Sequence, residues 1–121
     1  MNITELTMRL HQVRDQNDWR GFHSPKNLAM AASVEMAELL EIFQWLSEEQ
    51  SRQLAPDALK HAGEEVGDIV LYLLLLCAEL GIDMEQAVRA KLAELDLQEQ
   101  DTADAVAWAR RAAAGKSARK K

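Results

Sequence analysis

Apolar residues recur along this chain with the spacing of helices. Ile3, Leu6, Leu10 and Val13 fall three or four positions apart, one face of a first helix, which Asn2 and Glu5 open in a capping-box pattern. The polar run RDQND closes that helix, and WRGFHSP reads as a loop with Gly21 and Pro25. Ser24 is suited to cap a second helix with Pro25 as its first residue, and nothing interrupts that helix before about Leu46. Ser47 with Gln50 repeats the capping-box pattern for a short turn. Pro56 then resets the chain, and Asp57 is the expected cap of a third helix running to Gly81, a natural stop. Asp83 and Gln86 begin a fourth helix with the stripe Met84, Ala87, Val88 and Leu92, and DTADAVAWARRAAAG predicts a short fifth ending at Gly115. The expected fold is an all-α four-helix bundle over residues 1–100, followed over 101–121 by a short helix and a basic, disordered tail.

The run IVLYLLLLCA, residues 69–78, is too long to be a one-sided stripe and about half of a membrane span. A helix carrying it must be covered all round. The other helices of one chain cover it only in part, so a homo-oligomer is expected. The start MNITELTMRLHQ alternates polar and apolar residues, so no secretory leader is expected. Cys77 is the one cysteine, which suits a reducing, cytoplasmic setting and a structural thiol.

Composition reinforces the helical reading. The 121 residues are 48% hydrophobic and only 5% aromatic, with two prolines and five glycines. Charge is divided unevenly: residues 110–121 carry six basic side chains and no acid, leaving 8 basic against 20 acidic elsewhere. An acidic body argues against nucleic-acid binding by the core domain.

The informative charges lie where charges are least expected. Glu35 and Glu38 sit in ASVEMAELLEIFQW among Val34, Met36, Leu39 and Leu40, and Glu65 and Asp68 directly precede the apolar run. A separation of three residues puts each pair on one helical face, about one turn apart. Brought together across a bundle, four carboxylates would repel by several kcal/mol even at an effective dielectric near 20, and bound cations would relieve that repulsion. An all-oxygen donor set suits Mg²⁺, with Mn²⁺ as the alternative. Two such pairs also occur on solvated faces of acid-rich chains. Glu41, Glu48, Glu49 and Glu64 have more polar or edge positions and read as surface charge. A di-iron bundle would show Glu followed three residues later by His, whereas here His61 precedes Glu64.

The stretch DWRGFHSPKNLAMAASVEMAELLEIFQW, residues 18–45, followed by EEVGDIVLYLLLL, residues 64–76, resembles the MazG-like nucleotide pyrophosphohydrolases, in particular their dCTP pyrophosphatase-like branch. The likeness covers roughly residues 9–92. It implies the all-α nucleoside triphosphate pyrophosphatase bundle, acting as a homodimer or homotetramer. The implied reaction is Mg²⁺-dependent cleavage of a nucleoside triphosphate, dCTP or a related pyrimidine deoxynucleotide favoured, to a monophosphate and pyrophosphate. On this resemblance Glu35, Glu38, Glu65 and Asp68 are metal ligands, and Glu38 also orients or deprotonates the attacking water. His11, Trp19, Trp45 and Tyr72 enclose base and sugar, while His23, Lys26, Asn27 and Lys91 reach phosphates. Relatives carry an Asn four residues after the position of Lys91, where this chain has Leu95. The alternatives are a dUTP or broad-specificity pyrophosphatase on the same fold and a non-catalytic helical interaction module.

Overall fold

The computed structural model describes residues 2–100 and 110–114. In chain order the helices are α1 (Ile3–Gln16), a single 3-10 turn (Arg20–Phe22), α2 (Pro25–Phe43), α3 (Glu48–Ser51), α4 (Pro56–Leu80) and α5 (Met84–Gln100). No strand occurs among the described residues, as the helical spacing predicts. Residues 110–114 are helical too, inside the stretch expected to form a short fifth helix. The rest of that stretch and the expected disordered tail lie outside the described residues. The chain divides into two compact units, Met1–Met84 and Glu85–Lys121, and the acidic pairs belong to the first.

Capping chemistry sets most boundaries. Asn2 Oδ1 accepts from the Glu5 amide at 3.0 Å, and Ser24 Oγ accepts from the Asn27 amide at 3.1 Å. At α3 both halves of the box form: Ser47 Oγ accepts from the Gln50 amide at 3.1 Å and Gln50 Oε1 from the Ser47 amide at 2.9 Å. Two boundaries differ from expectation. α2 ends at Phe43 rather than near Leu46, because Ser47 must be extended to cap α3 and the chain leaves the helix through a turn before it. α4 starts at Pro56, whose fixed φ suits the first helical position. Its cap is therefore Ala55, which makes no side-chain bond, and Asp57 falls in the first turn. Gly81 ends α4 in the left-handed region at φ 68, and the Ile82 amide donates back to Cys77 O at 2.8 Å.

Within the first unit α4 packs against both α2 and α1. Leu10 of α1, Leu28 of α2 and Leu74 and Leu75 of α4 make the buried core, with Leu28 only 1% exposed. Along α4 the buried residues Ala62, Glu65 and Ile69 recur at spacings of three and four, which makes one stripe. One carboxylate therefore lies inside an otherwise apolar seam. Within the first unit α4 is covered only in part, since Val66, Leu71, Leu73 and Leu80 stay exposed. Met30, Val34, Met36 and Leu40 are likewise exposed on α2. Among the described residues no helix is long and apolar enough to cross a membrane.

Candidate functional site

The packing of α2 on α4 brings the acidic pairs together. Each of Glu35, Glu38 and Glu65 offers a carboxylate oxygen within 4.8 Å of the others. Asp68 stands outside that trio and is exposed, yet it lines the same cavity as Glu35. Burial separates the two acids of α4. Glu65 lies in the seam and is 6% exposed, while Asp68 sits at its edge.

Two features give the cluster its electrostatic character. Glu35 has its pKa raised above the ordinary glutamate value, first by hydrogen bonding to Glu65, then by burial and by the nearby charges of Glu65 and Asp68. Glu65 Oε2 is buried with no hydrogen-bond partner among the described residues. An ionised oxygen without a partner in such a place is costly unless a cation or donor joins it. The donors are all carboxylate oxygens, the set that hard divalent ions take. Glu35, Glu38 and Glu65 therefore fit a divalent cation, with Asp68 one turn beyond Glu65.

Beside the acids is a cavity of about 350 Å³, lined by Leu10, Trp19, Phe22, His23, Glu35, Asp68, Leu71, Tyr72 and Leu75. Carboxylates and aromatic rings thus line the same cavity. Tyr72 arrives because it lies four residues after Asp68 on α4. Trp19 and His23 arrive through the loop, their rings 6.1 Å apart and inclined by 54°. That loop is tightly specified. Asp18 takes φ 55, a left-handed value, and the Trp19 amide returns to Arg14 O at 3.1 Å. Arg14 is buried and donates from Nε to Asp15 at 3.0 Å, and Glu79 of α4 lies 4.0 Å from Arg14 Nη1 and 3.8 Å from Arg20 Nε. The Arg14 guanidinium holds the Asp15 carboxyl below its ordinary value.

The remaining candidates are placed elsewhere. His11 follows Leu10 on α1 and turns away from the first cavity. It lines a second one of about 410 Å³ with Thr7, Cys77 and Met84, its Nε2 buried and unpartnered among the described residues. Trp45 is 86% exposed in the turn after α2 and does not line the aromatic cavity. Lys26 is exposed. Asn27 serves the loop, donating from Nδ2 to Phe22 O at 3.3 Å. Lys91 belongs to the second unit, where its ammonium pairs with Glu94 at 3.0 Å. Phe22 and Leu71 line the cavity without having been singled out from sequence. The signal for Phe22 was its place between Trp19 and His23, and for Leu71 its place beside Tyr72. His61, weighed in the sequence only against Glu64, stands four residues before Glu65 and contacts it at 3.2 Å.

The chain is similar in sequence and in fold to known proteins. A model of the MazG-like family matches residues 30–107. The chain is 39% identical over 87 residues to dCTP pyrophosphatase 1 of Bos taurus, a match covering 69% of this chain and 52% of that protein. Against dCTP pyrophosphatase 1 of Homo sapiens the identity is 34% over 87 residues, covering 69% and 51%. The chain thus spans about half the length of the curated relatives it matches. A pyrophosphatase of known structure from Archaeoglobus fulgidus is similar in fold, with a TM-score of 0.74 at 36% identity over 81% of this chain and 92% of that one.

Proposed function

Since the chain belongs to the MazG-like family, we propose that it hydrolyses a nucleoside triphosphate between the α and β phosphates, releasing a monophosphate and pyrophosphate with Mg²⁺ as cofactor. The observation that carries this reading is the convergence of Glu35, Glu38 and Glu65 within 4.8 Å of one another, with Glu35 also on the wall of the aromatic cavity. When bound, Mg²⁺ supplies charge neutralisation for the phosphates and a lowered pKa for water. Glu35, Glu38 and Glu65 would hold it, with Asp68 the fourth ligand that the resemblance implies. Glu38 takes the proton of the attacking water on its carboxylate. Trp19, His23 and Tyr72 enclose base and sugar, where stacking of a base on an aromatic ring contributes about 1–3 kcal/mol.

A cavity of about 350 Å³ is near the lower end of small-ligand sites. By likeness to the dCTP pyrophosphatases we assign dCTP or a related pyrimidine deoxynucleotide as substrate, in the role of clearing the nucleotide pool. Tyr72 lies on the cavity wall beside Asp68, where its ring opposes a 2′-hydroxyl. The exposed apolar residues of α2 and α4 support a homodimer or homotetramer, and the free thiol of Cys77 suits the cytoplasm.

The test is a panel of deoxy- and ribonucleoside triphosphates with Mg²⁺ and pyrophosphate detection. Turnover of dCTP is expected, with at least a hundredfold loss in Glu38→Gln, the scale of general-base removal. Glu38→Gln turning over at the wild-type rate would remove Glu38 from catalysis. Highest turnover of dUTP would replace the assigned base, and release of no monophosphate from any nucleotide would leave the non-catalytic module.

A further inference from the structure

His61 lies outside the trio of converging acids and outside the aromatic cavity, yet its ring nitrogen meets a carboxylate oxygen of Glu65 directly. Its Nε2 is 3.2 Å from Glu65 Oε1, whereas Glu65 Oε2 is buried without a partner among the described residues. The two side chains differ sharply in setting: that of His61 is 55% exposed and that of Glu65 is 8% exposed. An imidazole so open to solvent contributes little to the core. It sits one helical turn from Glu65, at the spacing where side chains on one helix face each other.

We propose that His61 is a positioning residue for cation binding. Its Nε2–H donates to Glu65 Oε1 and fixes the rotation of the carboxylate, leaving Oε2 as the oxygen that meets the ion. A terminal carboxylate torsion is broad and roughly two-fold when nothing holds it. Without the donor the Glu65 carboxylate is held less firmly in rotation, and the ion must itself complete its ordering. With the donor, one oxygen is occupied and the other is presented in advance. Hydrogen-bond partners of metal-binding side chains commonly change metal affinity by about 10–100-fold when removed. His61 does so without being a ligand, since it stands apart from Glu35 and Glu38.

This inference rests on the reading of the acids as a metal site, and the experiment separates the two. Mn²⁺ is titrated into the full chain without nucleotide, bound ion being followed by electron paramagnetic resonance, for the wild type, His61→Leu and His61→Gln. Leu has no donor, while the Gln amide keeps one within reach of Glu65. The expected result is a roughly tenfold higher dissociation constant for His61→Leu and near-wild-type affinity for His61→Gln, with metal-free melting temperatures unchanged in both. Wild-type affinity in His61→Leu overturns the positioning role and leaves the metal site standing. Equal weakening in both variants also overturns it, because the donor is retained in one of them. Absence of Mn²⁺ binding by the wild type overturns the metal site itself and this inference with it.

Discussion

Replacing Glu65 by Gln should raise stability without metal and remove the stability that metal confers. The substitution preserves volume in the seam between Ala62 and Ile69, where Glu65 is 6% exposed. It removes a buried charge beside Glu35 and Glu38 and turns an unpartnered oxygen position into one that can carry an N–H donor toward them. Relieving one unsatisfied buried polar group is worth about 1–3 kcal/mol. For a domain of this size each kcal/mol moves the melting temperature by about 3–6 °C. In EDTA, therefore, Glu65→Gln should melt at least about 3 °C above the wild type. With Mg²⁺ at a hundred times its wild-type dissociation constant, the wild type should gain about 2.7 kcal/mol. If losing an anionic ligand weakens the site a hundredfold, the variant gains only about 0.4 kcal/mol from the same solution. The difference between the proteins should then close or reverse on adding Mg²⁺. Scanning calorimetry at one protein concentration, with EDTA and then with excess Mg²⁺, reads both halves. A variant that melts below the wild type in EDTA would show that Glu65 is already satisfied in its seam. Equal Mg²⁺-induced shifts in the two proteins would show that Glu65 is not a ligand.

Other expectations test neighbouring parts of the argument. Because Glu35 has a raised pKa in the folded chain, first through its hydrogen bond to Glu65, the folded state holds a proton that the unfolded chain releases at its ordinary value. Its contribution to metal-free stability is then fully present below pH 4.5 and lost as pH rises through the raised value. Metal competes with that proton, so Mg²⁺ affinity measured by calorimetric titration should fall over the same range on acidification, and a pH-independent affinity would exclude Glu35 as a ligand. Tyr72→Ala should narrow the dCTP-to-CTP ratio of kcat/KM, and an unchanged ratio would remove Tyr72 from sugar selection. Leu28→Ala deletes the most deeply buried large side chain, 1% exposed. It should cost about 3–5 kcal/mol by urea denaturation, a loss below about 1 kcal/mol marking a core that collapses around the gap.

Spacing carried part of the candidate site, and the family resemblance the rest. Three-residue separations put Glu35 with Glu38 and Glu65 with Asp68 on shared faces, and the caps at Asn2, Ser24 and Ser47 were visible as residue types. Tyr72 was marked by the resemblance, and its place one turn after Asp68 accounts for its lining the same cavity. Spacing could not say that Glu65 would be buried while Asp68 stayed exposed, because that depends on how far the α2 seam reaches along α4. Nor could it place His11: adjacent positions on α1 point about 100° apart, and Leu10 takes the direction of the first cavity. Trp45 looked like a ring for a pocket or a core. The early end of α2 instead leaves it in a turn, and no Gly or Pro in the sequence marks that end. The four-residue interval from His61 to Glu65 puts the two on one face, but spacing does not say whether their side chains meet.

The stretch from Asn17 to Asn27 has almost no slack. Asn17 is bonded to Val13, Trp19 to Arg14, Phe22 to Trp19, His23 to Arg20, and Asn27 to both Ser24 and Phe22. A connector pinned at so many points behaves as a rigid jaw, with the second helix as its mount. Discrimination between nucleotides would then rest on a fixed gauge set by this connector's length. Inserting or deleting one residue here should harm recognition more than changing the identity of most side chains along it.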